Sequence, residues 1–246
     1  NSGLATGSTT ISAVIGTSLT GIIQNSTTSS LTLGAVANLW NTGLTIKAGT
    51  VIGGNNANTF GDNANILTIG DSSGALNASL QVTNSLTYLQ PITVASGNTG
   101  VATLILGTGT GSVIWGGAVT LNSHDLTIGK TSTTGNAQLN GGITGTGNLV
   151  INNTGTTGTI TLGTAAINNI GTITNSGTAT GATIFNADIG SNVTNVLQNS
   201  ATSALTLNSA ALNFTRATVS LGTLNITGST AAAPSIADLS VAAGAT

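Results

Sequence analysis

The sequence predicts an all-β chain, a parallel β-solenoid of about a dozen coils with three short strands in each. Three observations predict it. Only eight of the 246 residues are charged, three basic and five acidic. The non-polar residues come in short alternating pieces separated by Gly, Asn, Ser and Thr. And one stretch of the chain recurs, without a gap, far downstream.

The charge count sets the first bound. A globular domain normally carries roughly a quarter charged residues, whereas here the share is 3%. The surface must therefore be wetted by hydroxyls, amides and backbone. Disorder goes with low hydrophobicity and high net charge, but this chain is 39% hydrophobic with a net charge of −2 and a mean hydropathy of +0.37. No stretch approaches the ~18 consecutive apolar residues of a membrane helix. With Cys and Met both absent, repetition must do what disulfides do in small secreted domains. The chain starts at Asn1 with no initiator Met and no signal peptide, as a processed product or a fragment does.

The strands follow in order along the chain. Leu31-Thr32-Leu33, Leu44-Thr45-Ile46, Leu67-Thr68-Ile69, Ile92-Thr93-Val94 and Ile160-Thr161-Leu162 alternate with period two, and β-branched residues dominate. Gly, Asn, Ser and Thr mark the turn after each piece. Val119–Leu121 and Leu126–Ile128 lie seven residues apart (126 − 119), while Leu31 and Leu44 are 13 apart (44 − 31). At about twenty residues per coil and ~4.8 Å per stacked strand, the rod would be about 55–60 Å long. An up-and-down barrel is the competing all-β fold, but a membrane-spanning one needs strands of ~9–11 residues.

The repeat is long-range. Ile15–Leu33 matches Ile189–Leu207 at a constant offset of 174 (189 − 15), and Trp40 falls opposite Phe214. One continuous solenoid over residues 1–246, with related coil blocks at 15–46 and 189–221, is the expected organisation. The Asn pairs Asn55-Asn56, Asn152-Asn153 and Asn168-Asn169 suit left-handed turn positions, or amide ladders running along the axis.

These residues resemble a known family. Gly43-Leu-Thr-Ile-Lys-Ala-Gly-Thr-Val-Ile-Gly-Gly-Asn-Asn-Ala-Asn-Thr-Phe-Gly61 is similar to the strand repeat of bacterial autotransporter passengers (the autotransporter-associated β-strand repeat), and Ser30-Leu-Thr-Leu-Gly34 supplies its TLTL-like part. Echoes occur at Leu205–Leu207, Ser220–Leu224 and Asp238–Thr246. The resemblance implies a right-handed parallel β-helix exported to the exterior of a Gram-negative-type bacterium. It covers most of the chain in style and two or three segments in motif. The chain departs from it in lacking a C-terminal membrane-barrel segment and in its scarcity of charge.

A search for chemistry finds little. His124 is the only His, and Ser123, adjacent in sequence, would point to the opposite face of a strand, so no triad is expected. The five Asp (Asp62, Asp71, Asp125, Asp188, Asp238) are dispersed and Arg216 is the only Arg, which does not suit a polysaccharide hydrolase or lyase. Gly53–Asp62 holds fragments of a Ca²⁺-binding nonapeptide without its repeat. One His and no Cys exclude a strong zinc site. Gly107–Gly111 has the glycines of a phosphate loop but no Lys and no helix, and the charge excludes nucleic acid. The expectation is a non-enzyme with no catalytic, cofactor or metal residues and no cofactor.

Two binding readings remain. Thr108/Thr110, Thr144/Thr146, Thr159/Thr161, Thr172/Thr174 and Thr178/Thr180 are pairs that an ice-binding solenoid would align in a flat row, but their spacings vary. Trp40, Tyr88 and Trp115 could stack on sugars, though single scattered aromatics read better as core plugs. The sequons at Asn25, Asn192 and Asn225 are what chance gives in an Asn/Thr-rich chain. The leading expectation is therefore a structural, extracellular solenoid of a bacterial surface fibre. It would pair with copies of itself end to end, residues near 1–20 against residues near 225–246, because neither end reads as a polar cap. A stalk segment of a larger autotransporter-type adhesin is the alternative, and an ice-binding solenoid comes third.

Overall fold

The computed structural model describes every residue except 35, 55, 84, 108, 229–235 and 237. Among the described residues the chain is all β, with no helix, and its parallel strands stack as a solenoid of about ten turns. Each coil visits three faces. The first holds Ala78–Val82, Ala102–Leu106, Leu126–Lys130, Leu149–Asn153, Gly171–Asn175, Val193–Asn199 and Arg216–Leu221. The second holds Ile22–Asn25, Leu67–Ile69, Ile92–Val94, Val119–Asn122 and Ile143–Thr146; the third holds Val113–Trp115, Ala137–Leu139, Ile160–Leu162, Thr183–Phe185 and Leu205–Leu207. The ten-residue strand Leu44–Gly53 bends from the second face onto the first.

Alternation decides which side chains turn inward. In Leu-Thr-Leu at 31–33, both leucines are buried and the threonine is only partly so, and Ile160–Leu162 repeats the pattern. Stacking these strands in register piles like on like: Leu80, Leu104, Ile128 and Ile151 form one column. Each fully buried Leu or Ile contributes about 1.5–3 kcal/mol. On the third face Phe60, Tyr88 and Trp115 plug the core. Tyr88 and Trp115 stack with ring centroids 5.4 Å apart, and Phe60 tilts against both. With Trp40, Tyr88 and Trp115 all at 0% exposure, no ring is offered to a sugar.

The coil is longer than twenty residues. Leu44 pairs with Leu67, Leu67 with Ile92, Val119 with Ile143 and Ile143 with Ile167, steps of 23, 25, 24 and 24. The corners account for the difference. The turn from second to first face takes residues 70–77 in one coil and 95–101 in the next, but only 123–125 in the one after. Chain is consumed in these corners, which gives about ten turns in place of a dozen and a rod of about 50 Å.

The duplication also has a geometry that its sequence does not carry. Following the inward column from Ile22 through Leu44, Leu67, Ile92, Val119, Ile143 and Ile167, seven coils lead to Ile189. The sequence equivalent of Ile22 is Val196 (22 + 174), which lies one face further, paired with Ile173 and Ala217. Likewise Leu31 stands in a first-face column, whereas Leu205 belongs to the third face. The repeat therefore spans seven coils and one face. The same sequence block occupies two different corners of the three-sided rod.

Candidate functional sites

The likeness between the two blocks extends to their hydrogen bonds, back to residue 1. Asn175 Nδ2 donates to Gln198 Oε1 (2.7 Å) and to the Ser203 carbonyl (2.8 Å). Gln198 Nε2 donates to the Ser200 and Ser203 carbonyls, both at 2.9 Å, and Ser200 Oγ accepts the Ser203 N–H (2.8 Å) and donates to the Gly177 carbonyl. Asn1, Gln24, Ser26 and Ser29 repeat each of these bonds. Thr183 Oγ1 closes one clamp by donating to Asn175 Oδ1 (2.9 Å), and Thr9 does the same to Asn1 at 3.3 Å. Buried amides hold only when their partners are supplied, and here the clamp supplies them internally.

The coil below each clamp carries a glycine against it. Gly49 has φ +76 and Gly222 φ +74. A Cβ there would stand 1.8 Å from the Ser26 carbonyl oxygen in one case and 2.0 Å from that of Ser200 in the other.

Lys130 is the unexpected interior residue. It is fully buried, in register with Asn153 on the coil below, and its Nζ donates to the Ser132 carbonyl. Gly155 and Gly158 make the room, since a Cβ on either would lie 2.4 or 2.6 Å from Nζ. Burial pushes the Lys130 ammonium below its ordinary pKa. Burial likewise pushes the Tyr88 phenol up to about 12, and its hydroxyl donates to the Gly54 carbonyl (3.3 Å).

The residues considered for chemistry stay apart. His124 is half-buried, with its Nδ1 2.8 Å from the Asp125 carbonyl oxygen. Asp125 accepts the Asn148 N–H (2.8 Å) and the Asn148 side-chain amide (3.2 Å) from the next coil. Ser123 has φ 58, the one positive value among described non-glycine residues. Asp62 caps its own turn through the Ala64 N–H (2.9 Å). Asp71 is held below its ordinary pKa, chiefly by the Ser72 N–H and also by Lys47, whose Nζ lies 3.3 Å away. Asp188 accepts from Ser209 Oγ (2.6 Å), and Asp238 pairs with Arg216 (2.9 Å). Among the described residues no three His, Cys, Asp or Glu side chains gather as metal ligands.

Asn ladders form, mostly at positions other than the expected pairs. Asn77, Asp125 and Asn148 stand at one corner on different coils, and each side-chain oxygen accepts the N–H of the residue stacked below, Val101, Asn148 and Thr172. Asn168 does so with Asn192 (3.0 Å), and Asn169 reaches back to the Gly147 carbonyl (2.8 Å). Asn153 instead points inward and Asn56 caps its own turn; Asn55 lies outside the described residues, as does Thr108. Threonine aligns too. Thr45, Thr68, Thr93, Thr120 and Thr144 form an unbroken outward column on the second face. The varying coil lengths do not spoil it, because the corners absorb the difference.

Both ends of the described solenoid are open strand edges. At one end Thr9–Ile11 pairs on one side only, with Leu31–Leu33, and Val14 beside it is 58% exposed. At the other, Asp238–Val241 pairs only with Arg216–Val219. Leu239 and Val241 continue the inward columns of Ala217 and Val219 yet are 59% and 50% exposed. Within the end segment near 225–246, residues 229–235 and 237 lie outside the described residues. In comparisons with known proteins, no family model, curated protein or solved structure matches the chain.

Proposed function

We propose that the chain is a non-enzymatic structural rod of a bacterial cell surface, of the autotransporter-passenger type, that stacks end to end with copies of itself. The carrying observation is the pair of open edges, with apolar columns running out into solvent at Leu239 and Val241. An exposed parallel strand edge is a template for another strand, and a head-to-tail contact that does not close into a ring propagates as a filament. Few charges oppose the approach. Residues near 1–20 of one copy meet residues near 225–246 of the next. Light scattering and electron microscopy over a concentration series test this: growth into filaments is expected, and its loss in a Leu239→Lys/Val241→Lys double variant. A stable monomer at high concentration, with no fibres, overturns it. In the alternative, a stalk within a larger adhesin, the same edges carry further coils, and coding sequence for a membrane barrel downstream would favour it.

The threonine column supports a second reading, binding to ice. Five hydroxyl–methyl pairs in register present a flat, regular row of about 19 Å on the second face. Thermal hysteresis in a nanolitre osmometer tests it. Activity lost on Thr93→Lys supports the reading, and no hysteresis removes it.

A further inference from the structure

On so regular a rod, the irregular part is the turn from the second face to the first. There residues 70–77 and 95–101 stand out as long loops on successive coils, while the coils below turn in two or three residues. Loops set on a rigid scaffold are where binding concentrates. These two are braced: Asn98, 4% exposed, donates from Nδ2 to the Leu76 carbonyl and accepts the Gly100 N–H, both at 2.7 Å, and the Thr99 N–H bonds the Gly74 carbonyl at 2.8 Å. Between the loops and the first face lie two hollows of about 390 and 550 Å³ that meet at Val101. Together they make one trough along the axis.

We propose that this trough binds a neutral glycan chain lying along the solenoid. Its floor repeats with the coil: Thr50, Ser79, Thr103 and Thr127 stand in one outward register column at ~4.8 Å steps. The Ser79 hydroxyl itself is covered, so a polymer meets the threonine hydroxyls of the other three coils. Leu76 and Val101, each 52% exposed, add apolar contact, and sugar rings carry both hydroxyls and C–H faces. The floor strands have both edges hydrogen-bonded to the coils above and below, so no edge is free for an added peptide strand. A polyanion finds no cation, because neither hollow is lined by Lys or Arg. A polycation finds only Asp125, already bonded to Asn148. With Phe60, Tyr88 and Trp115 buried, the half-buried His124 imidazole is the one described ring in the lining. Contact comes chiefly from hydroxyls and short apolar groups, and the affinity is on the order of millimolar.

Saturation-transfer NMR with cello-, xylo-, manno- and chitohexaose tests this on the full chain, with hexagalacturonate as the charged control. Transfer to at least one neutral hexaose is expected, falling at least fivefold in Val101→Lys, whose side chain projects into the middle of the trough. Thr120→Lys, on the exposed second face, should bind as the unaltered chain does. No transfer to any of the four, transfer unchanged in Val101→Lys, or preference for hexagalacturonate overturns the proposal. Matching thermal midpoints of the two lysine variants exclude unfolding as the cause. The assembly state does not enter, so failure here leaves the end-to-end reading to its own test.

Discussion

Residues 1–33 and 175–207 are related blocks, identical at 19 of 33 aligned positions, in two settings. The first block lies at an open end of the described solenoid, and the second is covered on both sides. Their clamps have the same bonds, but Asn175 and Thr183 are 1% and 0% exposed, whereas Asn1 is partly exposed and Thr9 exposed. Ile189 and Val193 are wholly buried; their equivalents Ile15 and Leu19 are only partly covered. The local fold of the block thus follows from its own sequence, and the coil stacked above supplies the burial. The one-face displacement adds a second lesson. A block that folds alike at two different corners carries its own turn geometry and takes little from its position on the rod.

The most disruptive way to probe this comparison is through the glycines beneath the clamps. Gly49→Ala and Gly222→Ala each place a Cβ on a carbonyl oxygen and demand a left-handed backbone. The backbone alone costs about 1–2 kcal/mol, and the clash requires the clamp turn to move. Each variant is expected to lose more than about 3 kcal/mol in chemical denaturation. Equal losses support a self-contained clamp. A clearly smaller loss for Gly49→Ala would show that the open-end turn yields, and that the clamp depends on the coil above it.

Next in size is the pair of asparagines. Asn175→Ala strips a buried network of its central donor and acceptor, leaving Gln198 Oε1 and Thr183 Oγ1 without their partner. The expected cost is about 2–3 kcal/mol. Asn1→Ala removes the equivalent group where water can replace it, for about 1 kcal/mol or less. Hydrogen exchange should show the same order, with the amides of Ser203 and Leu205 losing protection and those of Ser29 and Leu31 changing little. Equal costs would mean that the buried clamp is also reached by water.

Much of this was legible in the sequence, and the exceptions have physical causes. Period-two alternation located the inward Leu31, Leu33, Leu67 and Ile69, because a strand must alternate. Aromatics scattered singly through a polar chain pointed correctly to core plugs at Trp40, Tyr88 and Trp115. The coil length was not legible, since strands announce themselves by pattern and corners do not. The face shift was hidden too: sequence records that a block recurs, while its face depends on how much chain the intervening corners consume. Gln24, Asn175, Gln198 and Lys130 have the composition of surface residues; the bonds of the two clamps explain the burial of the first three, and the room left by Gly155 and Gly158 explains that of Lys130. The trough is the work of two long corner loops, whose residues taken singly look like ordinary turn.

The subtlest contrast sets the cationic interior against the clamps. Asn175 and Gln198 satisfy one another, whereas the Lys130 ammonium donates to the Ser132 carbonyl, with no carboxylate among its described partners. Its folded pKa is lowered from the ordinary 10.5 by burial, so the unfolded chain binds the proton more tightly. The cost of burying that charge is fully present below the folded pKa. It is relieved as pH rises from there towards the ordinary value, that of the unfolded chain. Stability should therefore climb with pH across that alkaline window. Lys130→Met keeps the length of the side chain and removes the charge, so it should flatten this slope and raise the thermal midpoint at pH 7 by about 2–4 °C. A midpoint that falls instead would mean that the ammonium's bond to the Ser132 carbonyl outweighs its desolvation. Lys130 would then be a staple like the clamps, and the interior polar groups would act by one rule.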